Sequence, residues 1–488
     1  MTADIAGTRQ FLKGSLWSAA SVLWTTLALL VVGKMATNAL PAQAVGLFAL
    51  VLVCADFFNM LFSGGLWITM PKLAAAASTE ERPALLGSVL LWQCWVVAAG
   101  SALGLAGWIL AKGGLLDWLP PSAWGVTQLL WAVVLLSGVG IFRDLLLAML
   151  AGMDRYASRA TAMAVASLVQ VAAVYLAVWS FGGGVSSLVL CLVLGYGTGV
   201  AVCAGIVLRG AHLNVGMGRA REAVRFSGPL YINSLLVFLY QRTDTLLIGG
   251  LIGLEAAAVL EMVKRLPMVL TRVMGAALTP YLPSMSRHIA VPNLLMAGAL
   301  AGKAARTVGF LGYCIALSAM VVREPLIRLL FAESYVGGAT VLCLLLITAV
   351  PALQAGIMTQ ALIALGRNRM ILAVNTGVIA ITVLGTVILA PHWGLAGAGA
   401  AALAGNVCSL AAQTCWARRR GLPVSWGSAF LPHLAAAPFA ALSCLSAGWD
   451  FRVLAVVLFV AGCAALRVIR KDDLVTVWRA ACPEADTR

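Results

Sequence analysis

The chain has 488 residues, of which 62% are hydrophobic and 10% charged, and a formal net charge of +15. A soluble domain carries about 25% charged residues. No water-soluble core can hide this much apolar side chain, so the composition reads as a polytopic membrane protein. The positive charge would also suit nucleic acid, but Lys and Arg of a membrane chain collect on its cytoplasmic side, so their placement decides.

Apolar runs of about 20 residues, the length that crosses a hydrocarbon layer of ~30 Å, recur from end to end. The expected spans are 14–36, 45–70, 87–111, 125–150, 158–180, 187–208, 227–249, 255–282, 303–322, 339–365, 370–390, 396–416, 429–447 and 452–467. The first run, Ser15 to Ala36, is too long for a signal-peptide core and lacks a cleavage site, so it reads as the first span. With the N-terminus inside, 23 of the 33 Lys and Arg fall in cytoplasmic segments. Outward segments hold only Lys34, Lys112, Arg323, Arg328 and Arg452. The asymmetry predicts fourteen spans with both termini cytoplasmic, and it demotes nucleic acid as a partner.

A weak internal echo supports two halves. "KGSLW" at Lys13–Trp17 resembles "SGPLY" at Ser227–Tyr231, and "PAQAVG" at Pro41–Gly46 resembles "EAAAVL" at Glu255–Leu260. The expected organisation is an all-α membrane protein: a six-helix lobe over 1–210, a second over 211–420, and two extra helices with a cytoplasmic tail over 421–488. A parallel repeat of this kind places substrate at the interface of its halves. Small-residue pairs at Gly100/Gly104, Gly195/Gly199 and Gly249/Gly253, and the run "GLAGAGAAALAG" at Gly394–Gly405, predict close helix contacts.

Catalytic signatures are missing from the sequence. It has no Walker-type phosphate loop, no HExxH and no GxSxG. The eleven cysteines form no CxxC pair, and His212, His288, His392 and His433 fall in predicted loops or at span ends without ligand spacing. Neither a metal nor a cofactor is expected. The outward acids Asp117, Glu324, Glu333 and Asp450 are dispersed, and the longest outward loop, 323–338, is short. This argues against an enzyme such as a membrane polymerase or ligase.

Charges inside the spans carry the functional signal, because each costs about 2.5–3.5 kcal/mol at mid-bilayer. The stretch "FLYQRTDTLLIGG" places Arg242 and Asp244 in helix 7; helix 8 carries Glu261, Lys264, Arg265 and Arg272; helix 4 carries Arg143–Asp144, and helix 2 carries Asp56 followed by Asn59. Arg242 and Asp244 are two apart and face away from each other. Depth along the helix 7–8 hairpin matches Arg242 with Glu261 and Asp244 with Lys264, while Glu261 and Arg265 share a face that Arg272 extends. The two helices hold four cations against two carboxylates, a surplus that suits an anion, and Arg binds phosphate in a bidentate fork. Two readings stand open: a cavity that handles charge, or structural ion pairs with snorkelling ends.

"RTDTLLIGGLIGLEAAAVLEMVKRL" resembles the helix 7–8 signature of Wzx-type flippases, the polysaccharide-transport branch of the superfamily that also holds MATE drug exporters and lipid II flippases. "FAESYVGGATVLCLL", "ALIALGRNR" and "LAPHWGLAGAGAAAL" resemble further segments of that branch. The likeness spans roughly 10–420, although Glu261 stands where an aromatic residue is usual. The resemblance implies a MATE-like arrangement of two lobes with a V-shaped cavity opening to each side in turn. It implies a flippase that moves an undecaprenyl-pyrophosphate-linked oligosaccharide across the bacterial inner membrane for exopolysaccharide, capsule or O-antigen synthesis. Arg242, Lys264, Arg265, Arg272 and Arg143 would hold the pyrophosphate. Asp244, Glu261 or Asp56 would couple the cycle to protons or another cation. The partners implied are the lipid-linked oligosaccharide, membrane lipid and the polymerase or export machinery of the pathway. The alternatives are a MATE-type cation antiporter, disfavoured because Gly14–Ala36 holds no Asp or Glu, and a polytopic polymerase or ligase.

Overall fold

The computed structural model describes residues 2–78, 80–112, 129–207, 218–277, 281, 285, 289, 294–445 and 448–465. Among these residues the chain is wholly helical, with no strand. It divides into two compact units, Met1–Ala258 and Val259–Arg488. The expectation divided the chain at 210/211 and 420/421.

The first unit contains α1 (Thr2–Ala39), α2 (Ala42–Phe62), α3 (Leu66–Ala76), α4 (Glu81–Lys112), α5 (Leu130–Gly152), α6 (Tyr156–Val174, continued by a π-turn through Ser180), α7 (Val185–Val207) and α8 (Gly218–Leu251). The boundary falls inside α9 (Leu254–Ala277). The second unit continues with α10 (Leu294–Val321), the short α11 (Arg323–Leu330) and a 3-10 turn at Glu333–Gly338. It ends with α12 (Ala339–Ala364), α13 (Asn368–Trp393), α14 (Leu395–Arg419), α15 (Trp426–Leu445) and α16 (Trp449–Ala465).

Of the expected spans, the described residues are helical except for Ser63–Gly65 inside 45–70 and the end residues Leu129, Val322 and Leu365; the edges at 125–128, 208, 278–280, 282, 446–447 and 466–467 lie outside the described residues. Among the described residues eleven helices are long and apolar enough to cross a membrane. Outside these eleven stand α8 and α9, which carry Arg242, Asp244, Glu261, Lys264, Arg265 and Arg272, and the shorter α3, α11 and α16. Leu103, Ile109, Leu384 and Ile388 are exposed, as a surface solvated by lipid tails requires.

In the first unit α5 is the hub. It packs on α2, α3, α4 and α7, and α8 packs on α2, α3 and α4. Two apolar cores form around it, one including Leu66, Met70, Leu146 and Leu150, the other Phe48, Val51, Leu136 and Leu188. Of the predicted pair Gly249/Gly253 only Gly249 meets a neighbouring helix, and Gly46, outside the predicted pairs, is a second close approach. A Cβ at Gly249 would lie 2.9 Å from Leu50 of α2, and one at Gly46 would run into the carbonyl of Leu254.

The expected span 45–70 is not one helix. Ser63–Gly65 breaks it, with Gly64 and Gly65 at φ of 59° and 71°, backbone that glycine adopts freely. A break frees carbonyls that lipid cannot satisfy, and three side chains take them. Tyr231 Oη donates to the Leu61 carbonyl at 2.9 Å, Gln93 Nε2 to that of Phe62 at 2.8 Å, and Ser227 Oγ to that of Gly64 at 2.8 Å. A Cβ at Gly65 would sit 2.8 Å from Tyr231, so glycine also admits α8 at this point.

The second unit is built on α12, α13 and α14, with α10 carrying α15 and α16. Arg323 donates to the carbonyls of Ser443 at 3.0 Å and Cys444 at 3.2 Å, while Arg452 donates to Glu324 at 3.1 Å. This network clamps the α15–α16 hairpin at α11. Partial burial pushes the Glu324 carboxyl up, but Arg452 and Arg323 outweigh it and hold that carboxyl below its ordinary value. His433, expected in a loop or at a span end, lies within α15 and shares a 2.6 Å hydrogen bond with Tyr313. His212 and His288 lie outside the described residues.

Gln93 is 1% exposed, so Gln93→Leu leaves the Phe62 carbonyl buried and bare. The expected loss is about 1–3 kcal/mol, read as a lower thermal midpoint of the purified protein. An unchanged midpoint would contradict the account of the break.

Candidate functional site

The polar residues of the first unit converge on one face of α2. Asp56 and Asn59 are three residues apart, which sets them one above the other on a helix. Arg242 of α8 reaches Asp56, with Nη2 2.9 Å from Oδ2. Beside this pair the rings of Phe57 and Phe238 lie 6.0 Å apart, so α2 and α8 are joined by an ion pair and an aromatic contact in successive positions.

From α5, Arg143 folds its guanidinium onto its own neighbour. Nε and Nη2 both donate to Asp144 Oδ1, at 3.0 and 2.7 Å. The other carboxylate oxygen of Asp144 accepts from Asn59 Nδ2 at 3.2 Å. The guanidinium carbon lies 3.7 Å from the centre of the Tyr196 ring on α7, a cation–π contact. Gly140, one turn before the pair, makes room: a Cβ there would stand 2.9 Å from Asn59 Nδ2. Two arginines and two carboxylates, all half-buried, thus gather with Asn59 and Tyr196 on four helices of one unit.

The expected residues fall into two groups. Arg242, Asp244, Asp56 and Arg143 belong to the first unit, and Glu261, Lys264, Arg265 and Arg272 to the second, on α9. The hairpin reading gave Arg242 to Glu261. The structure gives it a partner on α2 that the sequence treated as a lone acid. Asp244 accepts a hydrogen bond from the backbone of Thr245 at 2.8 Å. The face shared by Glu261 and Arg265 is the buried one in the second unit, at 7% and 4% exposure, while Arg272 is exposed. Among the described residues no group of His, Cys, Asp and Glu is placed to hold a metal.

Sequence reasoning missed Tyr196 and the three side chains that serve the α2–α3 break. The glycine pair in "LFSGGLW" was the available signal for the break. Tyr196 carried none beyond a place one turn from Gly199, which touches the Arg143 stem.

A family model described as "Polysaccharide biosynthesis protein" matches residues 40–339. No curated protein matches the sequence. Among solved structures, the lipid II flippase MurJ in its inward closed conformation superposes at TM-score 0.73 with 10% identity, over 95% of this chain and 100% of that one. The MATE transporter VcmN of Vibrio cholerae gives TM-score 0.53 and 18% identity, over 86% and 99%. A MOP-superfamily transporter from Pyrococcus furiosus, described as having a binding pocket of reversed polarity, gives 0.54 and 14%, over 84% and 95%. At these identities the likeness is one of fold: an all-α membrane protein built like MurJ and the MATE transporters.

If Asp56 and Arg242 act as a unit, Asp56→Asn and Arg242→Gln are not additive. A double-mutant cycle on thermal stability is expected to give a coupling of roughly 0.5–3 kcal/mol. Additive losses would contradict the pairing.

Proposed function

We propose that this chain, which belongs to the polysaccharide biosynthesis protein family, is a flippase that moves an undecaprenyl-pyrophosphate-linked oligosaccharide across the bacterial inner membrane by alternating access. The observation that carries the reading is the gathering of Arg242, Asp56, Arg143, Asp144 and Asn59, of which all but Arg242 lie in helices long and apolar enough to cross a membrane. Ionisable groups inside spans mark substrate and ion pathways. A pyrophosphate is an anion that two arginine forks recognise geometrically. Family and fold are those of transporters, and the reading needs no covalent chemistry.

In this reading Arg242 and Arg143 of the first unit take the pyrophosphate; Lys264, Arg265 and Arg272 are the second unit's cations of the same chemistry. Asp56, Asp244 and Glu261 balance the charge when the site is empty and couple the cycle to a cation. The sugars cross in the polar interior while the lipid tail stays in the bilayer. The polymerase or export machinery of the pathway would receive the product. A second reading, a MATE-type antiporter for cationic compounds, draws on Asp56 and Asp144, carboxylates that would suit a cation.

Arg242→Ala tests the choice. In cells that lack the native copy, this variant is expected to abolish polysaccharide export while its level in the membrane holds, and lipid-linked oligosaccharide should accumulate. Wild-type export would contradict the anion reading. Lost drug resistance with intact export would favour the antiporter.

A further inference from the structure

Arg143–Asp144 differs in kind from Arg242–Asp56. The latter joins two helices, as a structural brace does. The former joins a residue to its own chain neighbour, so the salt bridge itself ties no helix to another. Neighbouring positions on a helix point away from each other, and the pair forms only because the guanidinium turns back. Tyr196 holds the flat face at 3.7 Å, and the stem passes Gly199 at a distance where even a Cβ would make only ordinary contact, 3.6 Å from Arg143 Cγ. Both side chains keep about a quarter of their surface open, 24% and 29%.

What Asp144 occupies is informative. It accepts from Nε and Nη2, the edge of the guanidinium that binds a phosphate through two parallel bonds. Its other oxygen is already held by Asn59 Nδ2. A carboxylate turned out of the fork therefore keeps a hydrogen-bond donor on α2. A site that conducts must bind firmly enough to admit its substrate and weakly enough to release it. A resident competitor supplies the second property.

We propose that Asp144 is a positioning residue that fills the Arg143 fork when the site is empty, and that a phosphate or diphosphate enters by displacing it onto Asn59. This rests on the anion reading above and adds the device that limits its affinity. Asp144 serves as an internal stand-in for substrate, holding the guanidinium in its binding orientation and lowering the affinity that an open fork would have.

Binding to the purified full-length protein tests it, with inorganic pyrophosphate, an isoprenyl diphosphate and phosphatidylglycerol nanodiscs as probes. Asp144→Asn is expected to bind both diphosphates about tenfold tighter, the equivalent of about 1.4 kcal/mol. Asp144→Ala does the same and covers the case in which the amide variant fails to fold. The gain is expected to vanish when Arg143→Gln is added, which a merely structural role for Asp144 would not predict. Wild-type binding with no gain in either Asp144 variant, or a gain that survives Arg143→Gln, would overturn the displacement and leave the anion reading standing. A gain for phosphatidylglycerol alone would assign the fork to bilayer head groups and overturn the substrate role. No diphosphate binding by any form would overturn the anion reading and this proposal together.

Discussion

The rest of this structure depends on one constraint: a charge or a bare backbone carbonyl inside an apolar layer must find its partner within the protein. The Arg242–Asp56 pair at 2.9 Å is its clearest expression. It joins residues 186 positions apart and fixes which face of α8 meets α2. Phe57 and Phe238 complete the seam, and Gly249 lets α8 approach Leu50. Remove either charge and the other stands in a low-dielectric setting, where an unpaired ion costs far more than its pair gained.

The same constraint explains the interrupted second span. The chain breaks at Ser63–Gly65, and Gln93, Ser227 and Tyr231 close the hydrogen-bond account. Two of the three come from α8, the helix that also delivers Arg242. The break and the charge cluster are therefore held by one element, and whatever shifts α8 along its axis disturbs both. This links the local chemistry of a glycine pair to the geometry of the candidate site.

Much of the architecture was legible because lipid imposes a simple rule on sequence. The fourteen apolar runs are helical over most of their described residues, the break at Ser63–Gly65 excepted, and Asp56, Arg143, Asp144 and Arg242 of the first unit lie on helices that pack together. The short amphipathic α11 was not legible, being too brief for a span and read as a loop. The Arg242–Asp56 pair was not legible either. Depth along a hairpin matched Arg242 with Glu261, since depth is all that a single sequence offers. The partner seen, Asp56, depends on how α2 and α8 pack, which small residues such as Gly249 decide. Asn59 was noticed only as a neighbour of Asp56; its tie to Asp144 needs α5 beside α2, with Gly140 open between them.

The central claim is that the charges of the first unit handle an anion and do not serve only as braces. A charge swap separates these roles: Asp56→Arg combined with Arg242→Asp keeps the ion pair and moves the cation from α8 to α2. Measured on one preparation, thermal stability and translocation of a lipid-linked oligosaccharide in proteoliposomes give the answer. The account predicts that the swap recovers the stability lost in each single variant while translocation stays abolished. Recovery of both would show the pair to be a brace and contradict the account.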